Sequence, residues 1–524
     1  MSRLKGWGRR AGRGAGVGFA VLMLPASAAA AGWTPPMLLA HCALSTFPQV
    51  VFPSADPRTS AGPGAILWTG DPAACAGGGA PGAGVGIATI APADVAGSPQ
   101  PLPLAGGGRL GGLVTAAATG DGRIVMAAVL GAASGSSAGL TEGRAPGPFS
   151  RPLPIRADPA RAATATSYLG DVALATVSAR TGRVQLRIQR HGAAGLLGPF
   201  VLSQRTTPVT GLAVGLDYRG DALVVWAQDG LIYRRVLHAS GRLEGAERVA
   251  PTPPAPHLQA LISDDNRGIV AWSSDVTSGP TTTTSVYLDA SNSGVHFGPP
   301  RLLERFRDPP GLRLSEGSIR LVRLASEGVM IAWTGMNGGR YIVRAASVSL
   351  FVRRPSSVIS TGPGDAVLAD LATGPHNEAV ALWITAPRLA AGFDFRHASL
   401  LAARGIVAAP AIADFSGPEM IAGPAPIAAP RAAVDPATDD AVAVWEDLGA
   451  DPGVAYATRR AALRPLGPGA GADTGHGGWP AAWWLLAIPG LAVAVLAGWG
   501  GGGRRGVLCT RDTANEKGKT ETSV

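Results

Sequence analysis

The sequence predicts an all-β fold, a single β-propeller of seven or eight four-stranded blades, followed by one C-terminal transmembrane helix. Three observations carry this. Pairs of apolar strands ending in Trp recur at intervals near 50 residues, Gly and Pro punctuate the whole chain, and a charge-free apolar stretch of 21 residues stands near the C-terminus.

The repeat unit reads as an apolar strand, a polar turn containing Asp, Asn or Gly, and a second apolar strand closing on Trp. Its clearest copy runs from Arg431 through the turn Pro436 to Asp440 and ends at Trp445. Other copies close on Trp68, Trp226, Trp272, Trp333 and Trp383, and two that lack the Trp peak near Met126 and Thr176. The anchors lie 58, 50, 50, 46, 61, 50 and 62 residues apart. A third strand follows the anchor, as at Gly84 to Ala91, Leu231 to Leu237, Arg340 to Ser347 and Gly453 to Thr458. A fourth segment closes several units, as at Phe200 to Ser203 and Pro300 to Leu303. Four strands in roughly 40 to 60 residues is the period of a propeller blade, whereas β-sandwich domains repeat nearer 100 residues. Eight such units fill the region from about residue 45 to 465. The 117 Gly and Pro among 524 residues fit many short strands joined by turns. Each repeated Trp ends an apolar strand, so the six are expected in the blade core rather than stacked on a ligand.

Two membrane signals frame this region. Residues 1–30 have the layout of a secretory signal peptide. A basic segment (Arg3, Lys5, Arg9, Arg10, Arg13) precedes the apolar run Gly14 to Leu24, and small residues follow from Ala26 to Ala31. Residues 466–478 form a Gly-rich stalk, and residues 479–499 form the transmembrane helix. At 1.5 Å per residue the helix spans roughly 30 Å. Trp479, Trp483, Trp484 and Trp499 stand at its ends, where amphipathic rings sit at the headgroups. Arg504 and Arg505 follow, so the positive-inside rule places the tail, residues 500–524, in the cytoplasm and residues 31–465 outside. The chain is expected at the cell membrane as a single-pass protein. Cys42 and Cys75 both fall outside and form a possible disulfide.

Charge excludes one class of function. The net charge is +9, but five positive charges precede the apolar run at the N-terminus and the cytoplasmic tail holds a net two. The remaining ectodomain is close to neutral, so no nucleic-acid partner is expected. Between Lys5 and Lys517 there is no Lys, only Arg, which together with abundant Ala, Gly and Pro fits a high-GC coding bias.

With its apolar strand, Asp/Gly turn and Val-x-Trp ending, the repeat resembles that of exported bacterial β-propeller repeat proteins. The segment Asn292 to Phe297 is also similar to a degenerate Asp-box. A sialidase-like enzyme acting on envelope glycan would need clustered Arg, a Tyr nucleophile and paired carboxylates, and no motif marks such a set. Gly135-Ser-Ser137-Ala-Gly139 matches a serine-hydrolase elbow, and Gly106 to Gly111 a dinucleotide fingerprint, but neither has the strand-to-helix context its chemistry requires. The acidic clusters Asp264-Asp265-Asn266 and Asp435 with Asp439-Asp440 fall in turns, where such residues bond the backbone; calcium is the alternative reading. No catalytic, cofactor-binding or metal-ligating residue is assigned. The expected function is non-catalytic: a cell-surface propeller presenting variable loops, among them Pro280 to Thr284 and Ala386 to Phe393, to an extracytoplasmic protein or glycan. An extracytoplasmic glycan-acting enzyme and a structural envelope protein are the alternatives.

Overall fold

The computed structural model describes residues 32–459, apart from 42–47, 54–62, 71–83, 92–95, 108–109, 131–136, 194, 252–255, 264–266, 292–296, 309–318, 325–327, 349–355, 390–391, 407–413 and 450–451. The segments expected to be signal peptide, stalk, membrane span and tail lie outside the described residues, as do Cys42, Cys75, the Asp264 cluster and Asn292. Among the described residues no helix is long and apolar enough to cross a membrane.

Among the described residues the strands form eight antiparallel blade sheets, each with a four-stranded path and one carrying a fifth strand, which settles the blade number at eight. The first seven inner strands are Gln49–Val51, Leu110–Ala118, Ala157–Thr166, Val209–Leu216, His257–Ile262, Ile319–Arg323 and Asp365–Thr373. Each is followed in its sheet by the next strands of the chain, and in blade 7 the segment Glu419–Ala425 also pairs with the third strand. Blade 8 is built differently. Ile427–Val434, Ala441–Asp447 and Gly453–Arg459 supply its first three strands, and the N-terminal strand Met37–His41 its outermost one. Thr34 continues this closure, donating its N–H to the Thr458 carbonyl at 2.8 Å and accepting from the Thr458 N–H at 3.0 Å.

The second strand of each blade is apolar on both sides because both of its faces pack against neighbouring blades. Ala222–Gln228 and Val172–Ser178 are buried along their whole length. Trp68, Trp226, Trp272, Trp333 and Trp445 occupy the fifth position of their second strands and Trp383 the sixth, and all are at most 2% exposed. Trp226 stacks on Tyr233 at 5.6 Å and Trp272 on Tyr287 at 5.2 Å, each Tyr being the cross-strand partner of its Trp. In blade 3 the equivalent position is Thr176. In blade 2 it is Ala128, two residues beyond the Met126 at which the sequence pattern peaks.

In blades 2 to 5 the turns joining inner to second strands share one construction. A Ser, Thr or Asp side chain accepts from the backbone N–H four residues on: Thr119 from Arg123, Ser167 from Asp171, Asp217 from Asp221 and Ser263 from Arg267, at 2.7–3.3 Å. Gly122, Gly170 and Gly220 take the left-handed conformation these turns need. Arginines fasten consecutive turns together. Arg123 donates to the Gly170 carbonyl and Arg190 to the Gly220 carbonyl, both at 2.7 Å. The turns of blades 2 to 4 are therefore braced to one another along the rim of the ring.

One expected loop is corrected. Pro280 to Thr284 is not a variable loop, because the second strand of blade 5 runs to Ser278 and the third begins at Thr281. Only Gly279 and Pro280 turn the chain, and the β-branched Thr run extends the strand, as Thr does when one side is buried. Within Ala386 to Phe393 the chain forms a small hairpin, Arg388–Leu389 pairing with Gly392–Phe393.

Candidate functional site

The inner strands line a central channel. They approach so closely that small residues dominate: a Cβ on Gly215 would stand 2.7 Å from the Leu261 Cα. The channel holds a cavity of about 480 Å³ and widens, past the shared lining residues Ala116, Val214 and Ala260, into a mouth of about 1170 Å³ at the turn rim. Phe52, Tyr168, Leu169, Arg323, Pro375 and Pro436 are among the mouth residues. Tyr168 stacks on Tyr218 of the next turn at 5.9 Å, and Arg219 lies 5.2 Å over the Tyr218 ring. Arg323 braces the mouth, donating to the Leu216 carbonyl at 3.1 Å and to that of Ile262, while its own carbonyl accepts from Thr373 Oγ1 at 2.7 Å.

Deeper in the channel, one position per blade forms a tier that is polar in six of the eight blades. In each inner strand it is the residue paired with the one immediately before the Trp position. Gln49 faces Leu67, Thr115 faces Ala127, Ala163 faces Ala175 and Ala213 faces Val225. Gln259 faces Ala271, Arg320 faces Ala332, Asp370 faces Leu382 and Arg431 faces Val444. All except Arg320 line the 480 Å³ cavity. The charged members fall on the adjacent blades 6, 7 and 8, across the ring from the Ala members of blades 3 and 4.

Most of the tier's polar groups are engaged within the channel wall. Gln49 Oε1 accepts from the Ala116 N–H at 2.6 Å, and its Nε2 donates to the Val114 carbonyl at 3.4 Å. Thr115 and Thr164 share a hydroxyl hydrogen bond of 3.0 Å. Asp370 accepts from Arg320 Nε at 3.0 Å on one oxygen and from the Ala432 N–H at 2.9 Å on the other. Two members differ. Among the described residues the Arg431 guanidinium hydrogen-bonds only the Pro430 carbonyl, at 3.1 Å, and the Gln259 amide has no hydrogen-bond partner. Burial pushes the Arg431 pKa down, opposed by the nearby Asp370 carboxylate and reinforced by Arg320.

A set of Arg, Tyr and carboxylates does occur elsewhere. Tyr341 Oη donates to Asp308 Oδ1 at 2.6 Å, and Thr284 Oγ1 donates to Asp308 Oδ2 at 2.7 Å. Asp365 accepts from the Tyr341 N–H at 2.8 Å and from Arg388 Nε at 2.8 Å. Its chemistry is structural. Tyr341 is 0% exposed, Asp308 3% and Asp365 7%, and none of these residues lines the channel or its mouth. Burial pushes the Tyr341 pKa up, and its bond to Asp308 adds to this, the reverse of what a nucleophilic phenol needs. Of the motif matches, Ser137 and Gly139 lie within a third strand, Ser137–Gly143. Asp435 accepts from the Ala437 N–H at 2.8 Å within its turn, and Asp439 meets His376 of the preceding blade at 2.6 Å. Among the described residues no three His, Cys, Asp or Glu side chains converge on a metal-sized site.

No protein-family model matches the chain, and no curated protein matches it. Similarity is to solved structures only. The polysaccharide lyase Uly1 is 8% identical with a TM-score of 0.39, over 69% of this chain and 92% of the lyase. The NanB sialidase from Streptococcus pneumoniae is 10% identical with a TM-score of 0.32, over 66% of this chain and 68% of the sialidase. An α-L-arabinanase of Penicillium chrysogenum is 10% identical with a TM-score of 0.29, over 48% of this chain and 93% of the arabinanase.

Proposed function

We propose that this chain is a non-catalytic recognition module of the cell surface: an exported eight-bladed propeller, tethered by residues 479–499, that binds an extracytoplasmic ligand through its central channel and rim. The observation that carries this reading is the state of the channel carboxylate. Among the described residues Asp370 is the only carboxylate lining either cavity, and both its oxygens are engaged, by Arg320 and the Ala432 N–H. General acid–base work at a glycosidic bond asks for two carboxyl groups free to exchange protons. A channel wall of Ala and Val with a few fixed polar groups suits binding. The Tyr168–Tyr218 pair and Arg219 at the rim add an aromatic, cationic edge of the kind interfaces favour. The test incubates the purified full-length protein with isolated envelope polysaccharide and follows new reducing ends and unsaturated products. The expected result is retention of the polymer without cleavage. Product formation that disappears in Asp370→Asn would overturn the reading and make the channel an active site.

A further inference from the structure

The tier leaves one cation and one amide uncommitted, and their placement defines a ligand. Asp370 is matched by Arg320, so the tier's net positive charge resides on Arg431. That guanidinium carries five N–H donors and spends one on Pro430. It lines the channel beside Asp370, whose two oxygens are already taken by Arg320 and the Ala432 N–H, so its own charge is only partly balanced there. Gln259 belongs to blade 5, three blades round the ring from Arg431 on blade 8, and lines the same cavity. Its amide offers both a donor and an acceptor. The cavity's 480 Å³ falls within the roughly 300 to 1,000 Å³ of small-molecule sites, and it opens to the outside through the mouth.

We propose that the channel binds a small hydroxylated oxyanion, with its acid group held by the Arg431 guanidinium and a hydroxyl held by the Gln259 amide. The acid is a carboxylate or a phosphate, since the planar guanidinium fork accepts either. Arg320 and Asp370 act as positioning residues: their mutual pairing keeps the carboxylate from claiming Arg431. The proposal rests on the recognition reading above and gives it a ligand class.

Three probes share one carbon skeleton and differ only at C1: D-gluconate carries a carboxylate there, D-sorbitol 1-phosphate a phosphate ester, and D-sorbitol a plain alcohol. They are titrated calorimetrically into the full-length protein in detergent micelles. Heat from gluconate or the phosphate, with none from sorbitol, is the expected result, and the stronger of the two acids identifies the source of the charge. Arg431→Gln should lower the affinity at least tenfold, Arg431→Lys should fall between, and Gln259→Ala should weaken binding severalfold. Near-UV circular dichroism of each variant verifies that the blades stay packed. The proposal is overturned if all three probes bind alike, if none binds, or if folded Arg431→Gln binds as well as the parent. The recognition reading survives those results, because the polysaccharide assay decides it. If the acid binds and is recovered chemically altered, the site stands and the non-catalytic reading falls.

Discussion

Asp289 offers a measurement in which the structure fixes both sign and size. It lies on the third strand of blade 5, 3% exposed, near Arg234 of blade 4, which is itself 2% exposed. Arg234 is paired with Glu247 and packed 3.7 Å over the Phe297 ring, so Asp289 receives only part of its charge. Burial dominates and pushes the Asp289 pKa up to about 6. In the unfolded chain an Asp titrates near 3.9. The folded state therefore holds the proton more tightly. The associated stability is fully present below about pH 4 and is lost as the pH rises through about 6. A shift of about two units corresponds to roughly 3 kcal/mol at neutral pH. Asp289→Asn keeps the shape of the protonated acid without its titration. Urea unfolding followed by Trp fluorescence should show the variant and parent alike at pH 4. The variant should gain with rising pH and level off above pH 7 at up to about 3 kcal/mol. A difference that does not change with pH, or a variant that is less stable at pH 7.5 than at pH 4 relative to the parent, would refute the account.

Further outcomes follow from the same structure. Tyr341→Phe removes the donor to the buried Asp308 carboxylate and should cost about 1–3 kcal/mol in urea unfolding, as expected of a buried acceptor left short of a partner. Gly120→Ala places a Cβ 1.7 Å from the Tyr168 carbonyl oxygen of the next blade's turn, whereas a Cβ at Gly192 meets nothing within 4 Å and faces only the cost of its φ of +73°. The melting temperature should therefore fall further for Gly120→Ala than for Gly192→Ala. Trp383→Ala empties the space between blades 6 and 7 where Leu324, Met330 and Leu368 pack, and should cost about 3–5 kcal/mol by the same urea unfolding.

The parts of the fold that were legible in the sequence are those that repeat a packing need. A second strand buried on both faces must be apolar, and a large ring fits at its fifth or sixth position, so Trp226, Trp272 and Trp383 mark their blades directly. Met37–His41 left no such mark. An outermost strand packs little, and Met37 and Leu38 are exposed, so five residues give no periodic signal that they close blade 8. The Thr281–Thr284 strand was obscured by the Gly-Pro pair before it, whose turn signal outweighed the β-branched run. The channel tier was hidden for a different reason. Gln49, Thr115, Gln259, Arg320, Asp370 and Arg431 share a register but no residue type, because the channel wall constrains position and leaves chemistry open. Counting back four residues from the turn residues Thr119, Ser263 and Asp435 would have collected Thr115, Gln259 and Arg431 into one set.

The shared eighth blade also sets an order of events during synthesis. Met37–His41 emerges among the first residues of the propeller, yet its partner Gly453–Arg459 emerges last, and Tyr456 reaches Met37 across 419 positions of sequence. Blades 1 to 7 each pair within a short stretch and can form one after another as the chain lengthens. The ring cannot shut until the final strand arrives, and the early strand must wait unpaired through the assembly of the other blades. Closure is thus the last step, and it tests the whole chain: a product truncated before residue 453 retains seven blades' worth of local pairing but exposes both unsealed ends to other molecules.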